Sequence, residues 1–123
     1  EFPRYDERLT TKPYRYAYAM ALPSGGDPAF LADTKLYKHD LETGQRQTHE
    51  FGKGRVPGEF VFVPKANAQA EDDGWLMGYV VDTASETTDL VILNAADFGS
   101  APQAVVHIPH RIPPGFHGNW VAS

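Results

Sequence analysis

The chain has 123 residues, a net charge of −5 and 41% hydrophobic residues. That is enough for one small packed domain and not for two. The acidic balance, with no basic cluster, argues against a nucleic-acid partner, no apolar run approaches the roughly 18 residues of a membrane helix, and the absence of cysteine excludes disulfide staples and fits a cytoplasmic protein.

The first residue is Glu1 rather than Met, and no signal peptide opens the chain. The expectation is a piece of a longer protein or a processed product. Ten prolines and 11 glycines punctuate short apolar runs, the pattern of many short strands joined by turns. Tyr14, Tyr16, Tyr18 and Met20 alternate with Arg15, Ala17 and Ala19, a period of two that predicts a strand. Residues 35–41 and 45–51 flank Glu42-Thr43-Gly44, a hairpin signal. Residues 59–63 (EFVFV), 74–82 (GWLMGYVVD) and 88–94 (TDLVILN) are further strand candidates, followed by 105–108 and 115–121. No convincing helix is found; 94–98 is at most a short turn of one.

The chain repeats itself. EFPR at Glu1 precedes three strand-like runs, EFVFVP at Glu59 precedes three more, and RIPPGFHGNW at 111–120 echoes RVPGEFVF at 55–62. Glu1, Glu59 and His117 stand 58 residues apart. Tandem four-stranded units are the pattern of β-propeller blades; a meander sandwich is the rival. The fold expected is all-β, with blade-like repeats over about 1–58 and 59–116 and a last inner strand over about 115–121. Inner strands of successive blades line one axis, so Glu1, Glu59 and His117 are expected to converge there. A carboxylate beside a metal-bound imidazole accepts its free N–H, fixes the tautomer and raises its basicity.

The stretches EFPRYDER (1–8), KPYRYAYAM (12–20), KLYKHDLETG (35–44), GEFVFVP (58–64), EDDGWLMGYVVD (71–82), LVILNAADF (90–98) and RIPPGFHGNW (111–120) run in order over nearly the whole chain. Together they resemble the carotenoid cleavage oxygenase family, which includes retinal-forming and lignostilbene-cleaving enzymes, and they match about its last quarter. The resemblance implies a seven-bladed propeller with iron(II) on its axis, held by four histidines, with glutamates one layer out. It places the last histidine ligand on His117 and two of the glutamates on Glu1 and Glu59. The other three histidines and the remaining glutamate belong to sequence outside this chain, so these residues alone are not expected to build the centre or to retain Fe(2+). It further implies O2 and an apolar polyene or stilbene as partners, two carbonyl products, and association of the full-length protein with a membrane surface.

Plainer readings stand beside these. Read alone, His117 is more often a turn histidine than a ligand; the GFHG motif reverses that balance. Glu59 could be an ordinary strand-edge carboxylate. His107 and His110, separated by a proline and with no third ligand, read as solvated loop histidines. Glu71-Asp72-Asp73 lacks the spacing of a calcium loop and reads as a solvated turn. Phe116 and Trp120 flank His117 and are packing residues or, more sharply, a substrate wall. The non-enzymatic alternative is a truncated propeller that serves as a binding module. Strands such as EFVFV and LVILN, apolar on both faces, predict self-association of the isolated chain or pairing with the rest of its propeller.

Overall fold

The structure, a computed structural model, describes residues 1–22 and 35–123. It is all-β. Three strands, β1 (Tyr16–Met20), β2 (Lys35–Asp40) and β3 (Arg46–Glu50), form one antiparallel sheet in the order β1-β2-β3. Four strands, β4 (Arg55–Pro64), β5 (Gly74–Asp82), β6 (Thr87–Asn94) and β7 (Ala104–Ile108), form a second in the order β4-β5-β6-β7. Each is a meander in which every strand pairs with its neighbour in sequence. No helix among the described residues is long and apolar enough to cross a membrane.

The alternation read from sequence decides which side of each strand is buried. In β5, Gly74, Leu76, Gly78 and Val80 are buried, while Trp75, Met77, Tyr79 and Val81 face the other way. The core lies between the sheets: Tyr18, Met20 and Leu36 from the first meet Phe60, Phe62, Leu76 and Val91 from the second and Phe98 from the turn that follows β6. Tyr18 stacks on Phe62 with ring centroids 5.8 Å apart and planes 4° from parallel. The hairpin between β2 and β3 turns on Gly44 at φ 72°, a left-handed conformation that costs glycine nothing. Asp40 closes the same turn by accepting the N–H groups of Glu42 and Thr43.

Two expectations are corrected. The first repeat lacks a regular fourth strand. Its inner run exchanges bonds with β1 at only two places. Glu1 pairs with Met20 and Arg4 pairs with Tyr18, the latter through two 2.7 Å bonds. Three residues step along one side against two along the other, so the pair carries an extra residue at Phe2–Pro3. Pro3 has no N–H to give and Phe2 sits at φ 50°, which together break the ladder. The last strand expected over 115–121 does not form. A strand needs a neighbour to complete its ladder, and no described strand runs beside this segment; Pro113 and Pro114 also remove two donors. Side chains tether it instead. Arg111 pairs with Glu86 at 2.9 Å, and the Ile112 N–H reaches the Thr88 hydroxyl at 2.9 Å. The sequence reading also missed a 3-10 turn at Glu7–Leu9, capped by the Asp6 carboxylate. Residues 95–98 form a turn capped by Asn94 rather than a helix.

Candidate metal-ligand site

β4 is irregular where its chemistry lies. Pro57 pairs with Val80 and Phe60 with Gly78, so Gly58 and Glu59 together face the single residue Tyr79. This β-bulge takes Glu59 off the regular ladder. Bulges re-aim side chains in this way. Both repeats therefore carry an extra residue in the inner strand. The 58-residue spacing also survives in the pairing: Arg4 opposite Tyr18 becomes Phe62 opposite Leu76, each 58 residues on.

The Glu59 side chain is only 6% exposed, and it is surrounded by donors. Arg4 donates from Nε to Oε1 at 2.9 Å and from Nη2 to Oε2 at 3.0 Å. The Gly118 N–H donates to Oε2 at 2.7 Å. His117 Nδ1 lies 3.2 Å from Oε1. Burial alone pushes the Glu59 carboxyl up, but Arg4, the Gly118 N–H and His117 together outweigh it and hold the group below its ordinary range. Glu59 is therefore an ionised acceptor, which makes His117 Nδ1 the protonated nitrogen. In the neutral ring the lone pair is then on Nε2, the form a metal-binding imidazole needs.

Two phenylalanines set the imidazole. The Phe2 ring meets it edge-on, with centroids 5.2 Å apart and planes at 89°. Phe116, immediately before His117, packs against Phe2 at 6.3 Å. Phe2 and Phe116 both have positive φ, 50° and 54°. Backbone strain at bulky residues concentrates at sites where the surroundings over-determine the conformation. Beneath the 111–120 segment, on the outer face of β5, lies an apolar cavity of about 440 Å³ lined in part by Phe2, Met77, Tyr79, Ile112, Phe116 and Trp120.

Of the three residues expected to converge, the structure brings Glu59 and His117 together. Glu1 is held through its backbone to Met20, and its carboxylate is exposed and makes no hydrogen bond among the described residues. From the EFPR run it is Phe2 and Arg4 that reach the site. Sequence reasoning missed both, together with Gly118; the signal available was that they lie inside the EFPR and GFHG motifs. The remaining four histidines are elsewhere: His39 is on β2, His49 is buried with Nδ1 3.0 Å from the Phe98 carbonyl, His107 lies in β7, not in a loop, with Nδ1 3.0 Å from Asp89, and His110 is exposed in a bend, as expected. Glu71 and Asp72 do lie in a turn before β5, but the carboxylates of the Glu71–Asp73 triplet are paired rather than solvated. Glu71 accepts the N–H groups of Arg15 and Tyr16, Asp72 pairs with Lys38 and Asp73 with Lys65.

The donor set fits one imidazole ligand backed by a carboxylate. It does not make a closed centre, for no group of three or more metal-binding side chains stands together among the described residues.

The family model for the retinal pigment epithelial membrane protein matches residues 1–122. A carotenoid cleavage oxygenase of Mycobacterium tuberculosis is 43% identical over 126 residues, covering 100% of this chain and 25% of the relative. Resveratrol cleavage oxygenase 1 of Botryotinia fuckeliana is 32% identical over 127 residues, covering 100% of this chain and 23% of the relative. The crystal structure of a cobalt-substituted Synechocystis apocarotenoid oxygenase superposes with a TM-score of 0.89 at 34% identity, again over 100% of this chain and 25% of that one. The chain thus spans about a quarter of the length of the proteins it matches. With a match from end to end, two blade-like antiparallel sheets and the Glu59–His117 pair, this chain belongs to the carotenoid cleavage oxygenase family.

Proposed function

We propose that this chain supplies one ligand of a non-haem iron(II) centre in a protein that cleaves a conjugated C=C bond of a carotenoid, apocarotenoid or stilbene to two carbonyl products. The observation that carries the reading is the contact between Glu59 and His117, 3.2 Å apart across 58 residues of sequence. It leaves one imidazole nitrogen free to bind and fixes which one. Iron(II), when bound, supplies the redox chemistry that O2 requires. The residues of this chain bind and orient. His117 presents Nε2, and Glu59 holds the ring and offsets positive charge. Glu1 serves a histidine outside this chain in the same way. Phe116 and Trp120 form part of an apolar wall for the substrate, a role that suits their place on the cavity. Residues 1–58 and 59–116 are successive blades, a division supported by the matched pairing of Arg4–Tyr18 and Phe62–Leu76.

The test is a ranking in the full-length protein. His117→Ala removes a ligand and is expected to abolish both iron retention and cleavage. Glu59→Gln keeps the shape and loses the charge, so affinity or turnover is expected to fall on the order of 10–100-fold. Full iron occupancy and turnover in His117→Ala would remove the ligand assignment. A silent Glu59→Gln beside a dead His117→Ala would leave the ligand and return Glu59 to an ordinary strand carboxylate.

A further inference from the structure

We infer that Arg4 is a positioning residue for the metal ligand: its guanidinium fixes the plane of the Glu59 carboxylate and the turn that carries His117. The inference rests on the reading of His117 as a ligand and goes beyond it.

Arg4 is well placed for this. Its own backbone is pinned by the two 2.7 Å bonds to Tyr18, whose ring is buried against Phe62. From that anchor the side chain reaches three segments. Nη1 pairs with Glu7 at 2.8 Å. Nε and Nη2 take the two oxygens of Glu59, one each. Nη2 also donates to the Gly118 carbonyl. The Gly118 N–H returns to Glu59 Oε2. Arg4, Glu59 and the backbone N–H and C=O of Gly118 therefore close a ring of hydrogen bonds.

The geometry explains why a fork is required and a point charge does not suffice. With each carboxylate oxygen tied to one guanidinium nitrogen, the plane of Glu59 cannot rotate. Oε1 is then aimed at His117 Nδ1 and Oε2 at the Gly118 N–H. The 115–121 segment has no strand ladder to hold it, so these bonds, the Phe2–His117 contact and the tethers of Arg111 and Ile112 do that work. A carboxylate free to turn would orient the imidazole less narrowly, and the ligand would be less preorganised.

The test is a double-mutant cycle on the full-length protein, read by anaerobic titration with cobalt(II) and its visible absorption, with circular dichroism as the check on folding. Arg4→Gln is expected to weaken cobalt affinity about 10-fold, the scale of other losses one layer from a metal. Arg4→Gln is expected to cost much less in the Glu59→Gln background than in the unmodified protein, since most of its effect runs through Glu59 and only the bond to the Gly118 carbonyl is independent of it. Arg4→Lys restores charge without the fork and should recover only part of the loss. Should Arg4→Gln fail to fold, Arg4→Lys takes its place in the same cycle. Unchanged affinity in the Arg4 variant, or an equal loss in both Glu59 backgrounds, overturns the proposal. Failure of the underlying reading is seen separately: a His117→Ala protein with an unaltered cobalt spectrum removes the ligand itself, whatever the cycle shows.

Discussion

Lys38 on β2 and Asp72, just before β5, meet 2.6 Å apart and tie the first sheet to the second. The ammonium also donates to the Ala95 carbonyl at 2.8 Å and lies 4.2 Å from the centroid of the Tyr16 ring. The Lys38 side chain is 4% exposed, and that of Asp72 17%. Glu71 beside it caps the start of β1, and Asp73 pairs with Lys65 at 2.6 Å across the β4–β5 connection. Three consecutive acids thus fasten three separate elements.

Lys38→Ala strands a carboxylate and a carbonyl that have been drawn out of water. Breaking a buried pair costs about 3–5 kcal/mol. Because water still reaches part of Asp72, the expected loss in the full-length protein is at the lower end, about 3 kcal/mol. Denaturant midpoints measure it. An unchanged midpoint would mean that the clamp contributes nothing.

Gly78 faces Phe60 across the β4–β5 ladder. A Cβ there would stand 2.5 Å from Phe60 Cδ2 and 2.7 Å from the Glu59 carbonyl oxygen. Phe60 is 2% exposed and has nowhere to move. In the full-length protein, Gly78→Ala is expected to cost about 1–3 kcal/mol by overpacking and, if His117 is a ligand as proposed, to lower iron retention as well by displacing the Glu59 backbone. Gly99→Ala is the control. A Cβ there meets nothing within 4 Å, so stability should change by less than about 0.5 kcal/mol. Equal effects of the two substitutions would contradict this account.

Asp89 gives a pH-dependent signature. Arg55, bonded to it at 2.5 Å, and then His107, at 3.0 Å, hold its carboxyl below the ordinary aspartate range despite partial burial. The folded value is depressed, so the contribution to stability is fully present above the unfolded value. It is lost as pH falls through the folded one. Asp89→Asn should therefore lower the melting temperature near neutral pH, and the gap to the unmodified protein should close as pH falls below about 4. A gap that stays constant down to about pH 3 would rule out the ionised pair as its source.

The isolated chain is expected to self-associate. Among the described residues, β7 and β3 each pair on one side only. Val105 and Val106 on β7 are each 52% exposed, Phe116 61% and Trp120 51%. Open edges and apolar surface of this kind promote pairing between chains. Sedimentation velocity should show dimers or larger species; a stable monomer in dilute buffer would refute the expectation.

Residue order alone carried much of this protein. Alternation located the strands, because side-chain direction in a strand has a period of two whatever lies around it. Gly44 marked a hairpin because its φ is a local demand. The 58-residue spacing singled out Glu59 and His117, which do meet, but it also named Glu1, whose carboxylate the structure does not bring to them. Other features required the folded chain. Arg4 could not be assigned to Glu59, 55 residues away, without knowing how the inner runs are bulged. The acids at 71–73 read as solvated because the partners of Glu71 and Asp72, at Arg15, Tyr16 and Lys38, lie in or beside the other sheet; only Asp73 has its partner, Lys65, close by in the sequence. The strand expected over 115–121 failed for the same reason, since a ladder is made by two segments and only one of them is written in that stretch. Local conformation follows from neighbours along the chain. Which charge meets which carboxylate, and which strand finds a partner, is decided by the packing of segments that the sequence keeps far apart.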